Sequence, residues 1–135
     1  MNEKRHDHAC IVDEETNTIH VMGGYNGREM ADGNGLLKST EKWTLGTNSW
    51  VSGASLPKSL GYSAAVNSNS NNTIGYLVGG LTGDGQSLET FERLSKVWTL
   101  TRRDLGWIEH GSKRLKLPRS GHTLVNIPKD QIPGC

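Results

Sequence analysis

The chain has 135 residues, with 15 Lys and Arg against 14 Asp and Glu, and a formal net charge of +1. That length holds one modest domain, and near-neutral charge argues against a general affinity for nucleic acid. No apolar run approaches the roughly 20 residues that a membrane-spanning helix needs, so no membrane partner is expected.

Seventeen glycines beside 4 prolines and 4 tryptophans point to an all-β chain of short strands joined by glycine turns. Residues 8–12 read as a first strand, closed by the polar turn 13–17. Residues 19–22 form the return strand, which ends in Gly23-Gly24. The loop 25–38 is rich in turn residues: Asn26, Gly27, Asp32, Gly33 and Asn34. It leads to a third strand at 40–45, a tight turn at 46–48 and a fourth strand at 49–52. The succession then recurs, with strands about 63–66, 74–78, 96–101 and 107–110 and a polar turn at 67–72. Residues 88–94 interrupt it. Leu88, Phe91 and Leu94 recur at spacings of three, a pattern open to a short helix or to an irregular or extended loop.

The recurrence extends to individual residues. Gly23-Gly24 is matched by Gly79-Gly80, and Trp43-Thr44-Leu45 by Trp98-Thr99-Leu100. Trp50 is matched by Trp107, and Leu56-Pro57 by Leu117-Pro118. A basic residue follows each proline, Lys58 and Arg119, and then come Gly61-Tyr62 and Gly121-His122. Arg5 and His8 place the start of the chain in the same register as Arg119 and His122. A strand ending in two glycines can turn with positive φ and admit a close neighbour. The tryptophans then supply area for packing one small sheet on the next.

A Gly-Gly strand end, a later tryptophan, then Leu-Pro, a basic residue and Gly-Tyr or Gly-His, at a period of about 50, resembles the kelch repeat. Lys58 departs from the arginine seen at Arg5 and Arg119, and Trp43 and Trp98 stand in a strand where the family often has tyrosine. The resemblance implies one four-stranded antiparallel blade per repeat. Residues 6–57 would form one blade and 58–118 a second, with 119–135 giving the first strand of a third and a tail. The expected fold is thus a partial kelch β-propeller. Because propellers close with about 4–8 blades, the chain is expected to be part of a longer protein, to associate with itself or a sister chain, or to fold as an open two-blade array.

The resemblance also places partner binding on a face built from two sets of loops. One set joins second to third strands, at 25–39 and 81–96; the other joins each fourth strand to the next blade, at 53–60 and 111–121. Asn26, Arg28, Asp84, Gln86, Lys113, Arg114 and Arg119 are the polar candidates for contacting a protein partner. Arg119 is equally suited to fixing the turn between blades. Gly23, Gly24, Trp43, Trp50, Gly79, Gly80, Trp98 and Trp107 form the structural motif, and Tyr25, Tyr62 and Tyr76 are read as packing residues.

Chemistry-bearing patterns are poor. The sequence has no G-x-S-x-G elbow, H-E-x-x-H pair or phosphate loop. His6 and His8 have no third metal ligand placed beside them, and Cys10 and Cys135 have no ligand spacing. The eight Lys and Arg between Arg93 and Arg119 face only Asp104 and Glu109, and are read as a solvated edge. Asn71-Asn72-Thr73 matches a glycosylation acceptor. The first residues lead into no long apolar stretch, so no signal peptide is recognised and the reading leans to the cytoplasm. The expected function is that of a protein-interaction module with no cofactor, metal or catalysis of its own. The alternative is a blade pair from a propeller enzyme, a kelch-like oxidase.

Overall fold

The structure is a computed structural model, and it describes residues 1–27, 35–68, 70–83, 91–103, 106–127 and 131. The chain is all-β, and no helix occurs among the described residues. Strands β1 (Ala9–Asp13), β2 (Thr18–Met22), β3 (Thr40–Thr44) and β4 (Val51–Ser52) form one antiparallel sheet in chain order. Strands β5 (Ala64–Asn67) and β6 (Thr73–Val78) join β9 (Lys96–Thr101) and β10 (Trp107–Arg114) in a second antiparallel sheet. Between β6 and β9 runs a small ribbon of β7 (Leu81–Thr82) and β8 (Glu92–Arg93). Residues 92 and 93, which the leucine spacing left open to a helix, are therefore extended; pairing with β7 overrides that weak periodicity. Residues 88–90 lie outside the described part.

The alternation of each strand explains the core. Ala9 and Ile11 share a face of β1, and Met22 lies opposite Ala9 on β2. Leu77 pairs with Trp98 and Gly75 with Leu100, which sets these four on one face of the second sheet. The two faces meet in a core completed by Leu56, Leu60, Ile74 and Leu94. Gly75 permits the approach: a Cβ there would lie 3.0 Å from Ile11 Cδ1 and 2.7 Å from the Val66 carbonyl oxygen. Trp98 is fully buried, whereas Trp43, Trp50 and Trp107 are only half-buried. Trp43 pairs with Ile19 on the opposite face of the first sheet, which no described sheet covers.

Hydrogen bonds fix how the two units correspond. Gly23 and Gly79 have φ of 62° and 63°, Gly24 and Gly80 of 99° and 103°, so the paired glycines are equivalent. Gly23 N–H donates to Ser39 O and Gly79 N–H to Lys96 O; Leu37 N–H donates to Gly24 O and Leu94 N–H to Gly80 O. These bonds match Ser39 with Lys96, and hence Glu41, not Trp43, with Trp98. The identical tripeptides Trp-Thr-Leu are two positions out of register with each other. Trp50 and Trp107 do correspond, since Glu41 pairs with Ser52 and Trp98 with Glu109.

The connections are also displaced from their sequence match. Leu56 N–H donates to Lys38 O and Leu115 N–H to Ser95 O, while Gly24 N–H donates to Leu60 O and Gly80 N–H to Arg119 O. Leu56 thus corresponds to Leu115, not Leu117, and Leu60, not Lys58, stands where Arg119 stands. The register shift in β10 between Glu109 and Arg114 absorbs the difference.

Asp7, Tyr62 and Gly121 are the equivalent starts of three successive units, with φ of 51°, 56° and 64°. Tyr62 N–H donates to Asp7 O at 3.0 Å, and Gly121 N–H to Tyr62 O at 2.9 Å. Further along, Val12 N–H donates to Asn67 Oδ1 and Asn126 Nδ2 to Asn67 O. Residues 119–127 therefore lie in the place of a third first strand. They form no strand, because no backbone ladder runs beside them among the described residues.

Candidate functional site

At the start of the first unit lies a knot built on Arg5. Its side chain is fully buried and donates to Gly23 O at 2.8 Å, Ser39 O at 3.0 Å, Ser39 Oγ, Glu3 and Glu41. Glu41 also accepts from the N–H groups of Asn2 and Glu3. Burial alone would raise the Glu41 pKa, but those bonds together with Arg5 lower it. The knot ties the start of the chain to β3 and to the Gly-Gly turn.

Above the knot the chain presents a mixed patch. His6 pairs with Tyr25 by backbone bonds in both directions, and the two rings meet edge to face at 5.2 Å. His6 Nδ1 lies 2.5 Å from Asp7 Oδ2, with both side chains well exposed. Tyr62 is 37% exposed and follows Asp7 around the same end of the molecule. Its phenol pKa is raised, first by burial of part of the ring and then by the Asp7 carboxylate. Asn26 lies half-buried beside Tyr25, and its N–H donates to Gly35 O at 3.1 Å. Two phenols, an imidazole and a carboxylate thus gather at this end, with Asp7 and Tyr62 held in the left-handed region.

Of the sequence-derived candidates, only Asn26 joins this patch directly. Arg28, Asp84 and Gln86 lie outside the described residues. Lys113 and Arg114 belong to β10: Lys113 Nζ sits 5.9 Å over the Tyr76 ring, and Arg114 Nε donates to Gly111 O at 3.4 Å. Arg119 is exposed, and its backbone bonds Gly80 and Leu94. The histidines sort differently. His8 and His122 occupy equivalent places, and burial is the largest cause lowering both pKa values, followed by the charges of Arg5 and Arg119 respectively.

Sequence reasoning missed His6, Asp7, Tyr25 and Tyr62 as a group. Each stands directly beside a turn residue of the repeat, and the available signal was Tyr25 following Gly24 just as Tyr62 follows Gly61. At the opposite end, Arg102 pairs with Asp13 and with Glu15, joining β9 of the second sheet to the β1–β2 turn. Arg102, Glu15, Asn67, Ser68 and Asn71 line a polar cleft of about 280 Å³, and Asn71 is exposed. No group of three or more His, Cys, Asp and Glu side chains converges on a metal-sized site among the described residues. No family model matches the chain, and no curated protein matches it.

Proposed function

We propose that the chain is a pair of blades of a kelch-type β-propeller and serves as a protein-interaction module. The observation that carries this reading is the hydrogen-bonded succession of Asp7, Tyr62 and Gly121, in which each unit hands its strand start to the next in the same conformation. A fixed step between like sheets is what a radial array requires. The partner surface is the patch of His6, Asp7, Tyr25 and Tyr62, at the end where the β2–β3 and β4–β5 connections converge. His6, Asp7 and Tyr62 are exposed and Tyr25 half-buried, a mix of aromatic rings and charges that suits a protein surface.

The test is recovery of a partner on the immobilised chain, followed by a doubly substituted chain. Tyr25→Ala removes one ring, and Tyr62→Asn removes the other while tolerating positive φ. Loss of two aromatic anchors should weaken binding by about 2 kcal/mol or more, with the melting temperature kept. Full affinity in the variant would sink the reading.

A further inference from the structure

The repeat leaves two sheet faces that match each other. Within the chain, Ala9, Ile11 and Met22 of the first sheet are covered by Gly75, Leu77, Trp98 and Leu100 of the second. The equivalents of the covered residues are Ala64, Val66 and Val78, on the other face of the second sheet. Tyr76, Thr99 and Ile108 share that face by register; Val66 and Tyr76 are half-buried and Ile108 is 45% exposed. The equivalents of the covering residues are Ile19, Val21, Glu41 and Trp43, on the open face of the first sheet. Glu41 stands where Trp98 stands, yet it is already neutralised by the buried Arg5. Covering it again buries a paired carboxylate, with Arg5 shared between Glu41 and the more exposed Glu3.

We infer that the second sheet's open face is a docking surface for the first sheet of a second copy, head to tail, and that residues 119–127 guard it. The chain's own sheet-to-sheet interface is the template, so this copy continues an interface already formed. A second copy would bring its Arg5–Val12 backbone to the place that Arg119–Asn126 now fills, and the two cannot be there together. The tail is the weaker holder. Its bonds to the second unit include Gly80 N–H to Arg119 O, Arg119 N–H to Leu94 O, Gly121 N–H to Tyr62 O, Asn126 Nδ2 to Asn67 O and one between His122 and the Val78 backbone. Val125 is 75% exposed and Ile127 54%, so these two side chains lose little apolar burial when the tail is displaced, and Leu124 loses more. β1 is paired with β2 over five residues, and Ile11 is 2% exposed. In the contest the tail yields and β1 stays.

The inference rests on the equivalence of the two sheets and not on the loop patch, so either can fail alone. Sedimentation equilibrium of the full chain measures it. Gly121→Val disfavours the left-handed backbone at φ 64°, and Asn126→Ala removes the bond to Asn67. Together they should tighten self-association at least about tenfold, near 1.4 kcal/mol. Val66→Glu, at the half-buried equivalent of the covered Ile11, should weaken association at least about tenfold, whereas Ile108→Glu should not, since its equivalent Val51 stays 48% exposed within the chain's own interface. Single-cysteine chains, with Cys10 and Cys135 replaced by serine, give the geometry. Ile11 lies against Gly75, and their equivalents are Val66 and Ile19. Mixing Val66→Cys with Ile19→Cys chains should therefore yield a mixed disulfide dimer. Unchanged or weakened association in the tail variant overturns the inference. So does a mixed dimer from Val125→Cys and His20→Cys chains in place of the expected one, because that pair reports exchange of the tail for β1.

Discussion

Arg5 and Arg119 carry the same sequence signature and equivalent backbones, but their side chains live in different surroundings. Arg5 is enclosed and meets five acceptors. Removing it strands Glu41, which is 5% exposed. Breaking a buried pair from one side costs about 3–5 kcal/mol. Arg5→Ala should therefore lower the urea midpoint sharply, and Arg5→Lys should recover little, because an ammonium cannot reproduce the planar fork. Arg119→Ala should fall within about 0.5 kcal/mol of the parent, as exposed substitutions do. Equal losses in the two alanine variants would mean that the knot at Arg5 is not what holds the chain's start. The arginine motif was legible from the sequence, but burial was not: it comes from Glu3, Ser39 and Glu41, which no spacing rule connects. The left-handed starts show a related gap. Gly61 was matched to Gly121 because both are glycines, but the position that needs positive φ is held by Asp7, Tyr62 and Gly121.

At the scale of elements, the two Trp-Thr-Leu runs show what repetition of letters can and cannot fix. Their strands were correctly expected: Trp98-Thr99-Leu100 lies on β9 and Trp43-Thr44 on β3, with Leu45 in the turn just beyond it. A slip of two residues keeps every side chain on the same face, so hydrophobic alternation is blind to it. The ladder decides instead, and it sets Trp98 opposite Leu77 but Trp43 opposite Ile19. The irregularity in β6 between Thr73 and Gly75, and the shift in β10, are invisible in the sequence because each adds residues without altering composition. The glycine pairs were legible because backbone geometry demands that residue type, whereas tryptophan is demanded only by volume. The consequence is measurable. Trp98→Ala empties a fully buried site and should cost roughly 3–5 kcal/mol. Trp43→Ala and Trp50→Ala remove half-wet rings and should cost clearly less. A Trp50→Ala loss as large as that of Trp98→Ala would place the core elsewhere.

At the scale of the molecule, the two sheets share one core, so anything that weakens the units' starts weakens both. Several titratable groups, at those starts and within the strands, act in one direction. His8, His20 and His122 each have a pKa below the ordinary 6.5, with burial as the largest cause. A depressed histidine is favoured neutral in the folded chain, so the unfolded chain binds more protons below 6.5. Their contribution is complete above that value and declines as the pH falls through it. Glu41 has a pKa below its ordinary 4.5, since bonds from Asn2, Glu3 and Arg5 outweigh the opposing effect of burial. Its contribution is present above 4.5 and is lost as the pH falls further, through the lowered value. The melting temperature should therefore stay level above neutrality, decline once the pH drops below 6.5, and decline again below 4.5. A His8→Gln, His122→Gln chain should soften the first decline, leaving the part due to His20, and keep the second. Arg5→Ala should act on the second, since it removes the cation that lowers Glu41. A doubly substituted chain whose first decline matches the parent's would show that the buried imidazoles are not its source. Coincident loss of strand signal and of tryptophan fluorescence from Trp98 during either decline is the expected signature of sheets that unfold together.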